Sequence, residues 1–103
     1  MVVELKDKKE LDQITIGNDK VLIDFHATWC GPCKMQGPEL VKLADQKSDW
    51  IIVKVDIDKF PELATRYSVQ AVPTLVFVVK AKTQTIISGF RPLQELLKLT
   101  NKY

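Results

Sequence analysis

Long hydrophobic runs are missing from this chain. The longest apolar stretch, Ala71 to Val79, is interrupted by Pro73 and Thr74 and falls well short of the ~20 residues that cross a bilayer. The first residues, Met1-Val2-Val3-Glu4-Leu5-Lys6-Asp7, turn charged too early for a secretory signal. Both absences set the expectation of a cytoplasmic protein with no membrane partner. Cysteine is scarce as well: two residues are too few for a disulfide scaffold, and with a single histidine they fall short of the four ligands of a structural zinc site. Charge of one sign is lacking, because 15 basic residues are scattered among 13 acidic ones for a net +2, so nucleic acid is not an expected partner. No repeat, low-complexity segment or Gly/Ser/Pro-rich linker divides the sequence. A length of 103 residues with 46% hydrophobic content therefore reads as one globular domain spanning residues 1–103.

The hydrophobic pattern changes period along the chain. Val2 to Leu5 is a short strand. Asp7 and Glu10 have the spacing of a capping box ahead of a helix that turns Leu11 and Ile14 inward. Val21 to Ala27 is apolar on both faces except at Asp24 and His26, which suits a central strand covered on both sides. Leu40, Val41, Leu43 and Ala44 mark one face of a helix that follows Cys33, contains Pro38 and runs to about Ser48. Ile51 to Val55 is a further strand, and Pro61 to Tyr67 a short helix with Asp58 upstream as its cap. Thr74–Val79 and Thr85–Ser88 form a hairpin, and Pro92 opens a last helix carrying Leu93, Leu96 and Leu97. The link Lys80-Ala81-Lys82-Thr83 has no Asn-Gly type turn, which predicts a longer or irregular loop. This order gives an α/β fold with a mixed central sheet and helices on both faces.

Cys30 and Cys33 lie between a strand and a helix. Helix N–H groups and the helix dipole favour a thiolate over a thiol at the first cysteine, and a three-residue spacing closes a small disulfide ring. Cys30 is therefore assigned as the attacking thiolate and Cys33 as the buried resolving thiol, with Lys34 adding positive charge on the exposed side. An inert structural disulfide is the competing reading; so short a loop constrains little of the unfolded chain. Asp24 is conspicuous among Val, Leu, Ile and Phe. Burial there raises its pKa, and a carboxyl group titrating near neutrality can exchange a proton with Cys33. His26 shares its strand face and has Asp24 or Asp58 as hydrogen-bond candidates, the duller alternative being a half-buried replacement for an aromatic. Lys54 is a candidate to bias Asp24, or a solvated lysine at a strand end. No dinucleotide or phosphate loop is present, so no bound cofactor is expected beyond the redox-active Cys30–Cys33 disulfide.

The segment from Asp24 through Trp29-Cys30-Gly31-Pro32-Cys33-Lys34-Met35 to Pro38 closely resembles the active-site segment of the thioredoxin family. The likeness continues through Lys54-Val55-Asp56-Ile57-Asp58, Ala71-Val72-Pro73-Thr74 and Gly89, and so covers essentially the whole chain. It implies the thioredoxin fold and protein-disulfide reduction, with Pro32 between the cysteines where reducing members carry it. It implies that Trp29, Gly31, Pro32, Val72, Pro73 and Gly89 receive the substrate, Pro73 as a cis-proline, Val72 through its backbone and Gly89 by leaving room for a peptide. Asp24 takes the role of proton donor and acceptor. The partners implied are disulfide-containing client proteins and a thioredoxin reductase that draws on NADPH, the protein itself acting as a monomeric electron carrier. Two other classes compete: a binding module whose thiols are incidental, and an oxidase or isomerase, against which Pro32 argues. His26 departs from the tryptophan or phenylalanine usual in the family, and Gln36-Gly37 from its apolar or alanine residues, which predicts a looser helix there but no effect on the chemistry.

Overall fold

A computed structural model describes residues 1–103. The chain runs β1 (Val2–Glu4), α1 (Lys9–Gly17), β2 (Lys20–His26), α2 (Gly31–Gln46), β3 (Ile51–Asp56), α3 (Pro61–Arg66), β4 (Thr74–Val79), β5 (Lys82–Ser88) and α4 (Leu93–Thr100). One five-stranded sheet has the order β1-β3-β2-β4-β5, with β1, β3 and β2 parallel and the β2–β4 and β4–β5 pairs antiparallel. This is the mixed sheet that the alternation of elements predicts.

Side-chain alternation along the strands divides the core in two. Val21, Ile23 and Phe25 of β2 join Val53, Val55, Val76 and Val78 under Leu11 of α1 and Leu63 of α3. On the opposite face Leu22, Ile52, Leu75 and Phe77 pack with Leu40 and Leu43 of α2 and Leu96 of α4. Trp50, 1% exposed, seals that second layer edge-on to Phe77, with ring centroids 5.9 Å apart. Asp24 has the parity of Leu22 and so lies on the face that α2 covers.

Local signals are met in part. Glu10 Oε1 accepts the Asp7 N–H at 2.8 Å and Asp7 Oδ1 accepts the Lys9 N–H at 3.0 Å, the reciprocal exchange of a capping box. The other cap is not made: Asp58 does not hold the start of α3, and Asp56 instead accepts the N–H groups of Asp58 and Lys59. Asp56 ends β3 and is buried, so it meets these turn amides first. Val41 is half-exposed while Leu40, Leu43 and Ala44 are buried, since α2 turns a narrower stripe to the sheet than the apolar pattern predicts. Gln36, expected in a loosened helix, is wholly buried within a continuous α2.

The β4–β5 loop also differs from expectation. Strand β5 starts at Lys82, so only Lys80 and Ala81 connect the strands, both at positive φ (52° and 66°) as a type I′ turn requires. Pairing of Val79 with Lys82 outweighs the local cost of side chains in the left-handed region, and a bulge between Phe77 and Val78 absorbs the register. The double substitution Lys80→Asn with Ala81→Gly relieves that cost. We expect it to raise unfolding stability by about 1 kcal/mol, read from the urea midpoint at unchanged slope; an equal or lower midpoint contradicts the strain.

Candidate functional site

Strand β2 delivers the site. Its backbone leaves the sheet at His26, and Ala27 to Trp29 turn the chain so that Cys30 caps α2. Cys30 has extended dihedrals (φ −91°, ψ 113°), and its Sγ accepts the Cys33 N–H at 3.1 Å. Pro32 fits the first turn of α2 because the N–H it lacks has no partner there. Cys30 and Cys33 are joined as a disulfide, their Cα atoms 5.3 Å apart. Exposure does not separate the two cysteines, since both residues are buried. Hydrogen bonding does: Cys30 Sγ receives the helix amide and lies 3.6 Å from the Val72 carbonyl oxygen. An amide aimed at Cys30 at the positive end of a 16-residue helix stabilises negative charge on that sulfur when the pair is reduced.

Val72 belongs to the second wall. The Val72–Pro73 peptide bond is cis, Pro73 is buried and Val72 is half-buried against Ala27, Cys30 and Cys33. The third wall follows β5, where the Gly89 N–H donates to the Pro73 carbonyl at 2.8 Å. A Cβ built on Gly89 meets nothing within 4 Å, so no atom of this chain enforces glycine by contact; its φ of +95° does. Trp29 is 67% exposed, and its Nε1 donates to Asp58 Oδ2 at 2.9 Å, which fixes the indole over the loop after β3. That bond gives Asp58 the partner that a cap would have supplied.

Asp24 is 1% exposed, and neither carboxylate oxygen has a hydrogen-bond partner. Desolvation raises its pKa from the ordinary 3.8 to about 6, against the opposing charges of His26 and Lys54 and with a smaller push from Glu4. Sheet register explains these neighbours: Glu4, Lys54 and Asp24 form one cross-strand row over β1, β3 and β2. His26 Nε2 lies 3.3 Å from Glu4 Oε2, so its partner is neither Asp24 nor Asp58. A cleft of about 280 Å³ opens beside the disulfide and is lined by His26, Ala27, Thr28, Cys33, Lys34 and Lys54. The structure thus gathers Cys33, His26 and Lys54 around one opening, with Asp24 beneath the same sheet face. No group of three or more His, Cys, Asp or Glu side chains is placed to hold a metal ion.

Gln36 carries no sequence signal for the site, yet it spans to the third wall. Its Nε2 donates to the Arg91 carbonyl at 2.9 Å and its Oε1 accepts the Arg91 N–H at 2.8 Å. Only its substitution for an apolar residue in the family pattern marked the position.

Comparison with known proteins places this geometry. The thioredoxin family model matches residues 1–102. The thioredoxin of Mycoplasmoides gallisepticum is 42% identical over 95 residues, covering 92% of this chain and 95% of its own. Thioredoxin-2 of Saccharomyces cerevisiae is 42% identical over 93 residues, 89% of each chain. Among solved structures, a mutant thioredoxin from Halobacterium salinarum superposes with a TM-score of 0.94 at 37% identity, over 99% of this chain and 89% of the other. The oxidized form of mitochondrial thioredoxin 3 from S. cerevisiae gives 0.91 at 37% identity, over 99% and 95%. Agreement from end to end, in sequence as in backbone, means that the chain belongs to the thioredoxin family and that Cys30 and Cys33 are its thiol–disulfide exchange pair.

Proposed function

We propose that residues 1–103 act as one domain and one monomer that reduces disulfides of client proteins in the cytoplasm, recharged by a thioredoxin reductase that draws on NADPH. The observation that carries this reading is the Cys33 amide held 3.1 Å from Cys30 Sγ at the start of α2. In the reduced form Cys30 attacks as a thiolate. It forms a mixed disulfide with one client sulfur, and the other client sulfur leaves as a thiolate and takes up a proton. Cys33 then loses its proton to the ionised Asp24 carboxylate and attacks Cys30 Sγ. The client sulfur held in the mixed disulfide departs and takes up the proton from Asp24, Cys30–Cys33 closes, and the client has gained two electrons and two protons. The exposed indole of Trp29, Gly31 and Pro32 at the helix mouth, Val72, Pro73 and Gly89 form the receiving groove. Lys54, in register with Asp24, favours its ionised form, and His26 does so from two residues further along β2.

With dithiothreitol as electron source, we expect the wild-type protein to accelerate reduction of insulin disulfides. Cys30→Ser abolishes this, and Cys33→Ser accumulates a mixed disulfide visible by mass. A folded wild type without catalysis, or full activity in Cys30→Ser, overturns the assignment.

Asp24 ties activity to stability. Its folded pKa is raised, so the native state holds a proton that the unfolded chain gives up. Stability from this group is fully present below pH 3.8 and falls as pH rises through about 6, after which the buried charge costs about 3 kcal/mol. Asp24→Asn is therefore expected to be more stable than wild type at pH 8, with the advantage vanishing toward pH 4. Its turnover is slower between pH 6 and 9, and the wild-type inflection near pH 6 is absent. Turnover equal to wild type across that range excludes Asp24 as proton acceptor. His26→Phe removes a charge that lowers the Asp24 pKa, so the inflection moves above 6; an unmoved inflection leaves His26 as packing alone.

A further inference from the structure

Glutamine is rarely buried completely without a specific partner, and Gln36 is 0% exposed. Its amide does what a neighbouring strand would do: it accepts the backbone N–H of Arg91 and donates to the carbonyl of the same residue, at 2.8 and 2.9 Å. One turn further along α2, Glu39 Oε1 accepts the Leu93 N–H at 3.0 Å, an amide that the start of α4 leaves without a helical partner. Both side chains come from the helix that carries the cysteines, and both grip the segment that follows Gly89. The partly exposed Arg91 guanidinium donates to the Ser88 carbonyl at 3.3 Å.

These bonds complete a circuit. Cys30 Sγ abuts the Val72 carbonyl at 3.6 Å, and the Pro73 carbonyl accepts the Gly89 N–H at 2.8 Å. Two residues beyond Gly89, the Arg91 backbone returns to Gln36, three residues after Cys33 on the same helix. Besides the Gln36 link, the hydrogen bonds that tie the stretch from Gly89 to Leu93 to the site and its helix are those of the Pro73 carbonyl and Glu39. Its Gly89 has a positive φ and nothing within 4 Å above it, so contacts inside the chain do not hold it from that direction.

We propose that Gln36 is a positioning residue for client binding, fixing the Gly89–Arg91 wall of the groove at a set distance from Cys30, with Glu39 as its auxiliary. The inference rests on the groove reading given above. Gln36 touches neither reacting sulfur, so its effect falls on how a polypeptide seats, not on sulfur exchange. An apolar side chain of similar volume, as in Gln36→Met, keeps the core filled and releases Arg91.

The test compares wild type, Gln36→Met, Glu39→Ala and Glu39→Gln with two substrates, insulin and a small aromatic disulfide that needs no groove. For Gln36→Met we expect the insulin KM to rise about fivefold, with kcat within twofold and the small-disulfide rate within twofold. Glu39→Ala shifts KM in the same direction by less, and Glu39→Gln, which keeps the acceptor, restores it. An unchanged insulin KM in folded Gln36→Met overturns the proposal, as does a parallel loss with both substrates. If Gln36→Met does not fold, an unchanged KM in Glu39→Ala overturns it instead. Amide exchange read by NMR separates this from failure of the reductase reading. The Arg91 amide is expected to be protected in wild type and to exchange faster in Gln36→Met. Rapid exchange in wild type removes the clamp even if insulin is reduced. Protection alongside a wild type that reduces only the small disulfide removes its role in client binding.

Discussion

Strand β2 is hydrogen-bonded along both edges and covered on both faces, so every residue on it answers to a packed neighbour. That constraint organises the molecule. Parallel pairing with β3 and antiparallel pairing with β4 fix β2 at the sheet centre, where Val21, Ile23 and Phe25 serve one helical layer and Leu22 the other. The same rigidity makes its end a dependable launching point for the cysteine turn. It also buries Asp24 with no hydrogen-bond partner on either oxygen, and the raised pKa follows from this desolvation. Precision at the sulfurs and instability at the carboxylate are two results of one buried strand.

Much of this was legible in the sequence because it is local. Alternation and composition mark β2, β3 and β4; Asp7 and Glu10 mark the entry to α1; and the two cysteines sit at a strand-to-helix junction whose electrostatics follow from position alone. Asp24 is legible as the charged residue in an apolar run. What escaped depends on tertiary distance. The partner of Gln36 is a backbone amide 55 residues away, and a backbone amide has no sequence signature. His26 meets Glu4 because β1 lies one strand beyond β3, an arrangement that only sheet order reveals. Asp58 was equally suited to cap α3 or to hold an indole, and the fold brought Trp29 within reach first. At Lys80-Ala81 local propensity pointed the wrong way, because strand pairing on either side overrode it.

The site is assembled from three separate stretches of chain, and no single element contains it. The helix mouth supplies the sulfurs, the cis-proline loop a carbonyl beside them, and the β5–α4 segment an open backbone. Each is anchored to the next by a backbone group: the Val72 carbonyl, the Pro73 carbonyl, the Arg91 amide. Anchoring through main chain leaves the side chains facing solvent free to differ among relatives without moving the walls. The exposed Trp29 and the half-buried Val72 then present apolar surface beside the disulfide, while Lys34 and Lys54 line the recess at Cys33.

The two tryptophans divide the molecule in a way that an optical instrument can use. Trp29 is 67% exposed and directly precedes Cys30, at the disulfide end of the molecule. Trp50 is sealed in the core between Phe77 and Tyr103. An exposed indole emits at longer wavelength than one sealed from water, so the two residues give separable bands, one from the disulfide end and one from the core. The chain therefore carries its own pair of fluorophores, one at the redox end and one at the folded core, with no label attached.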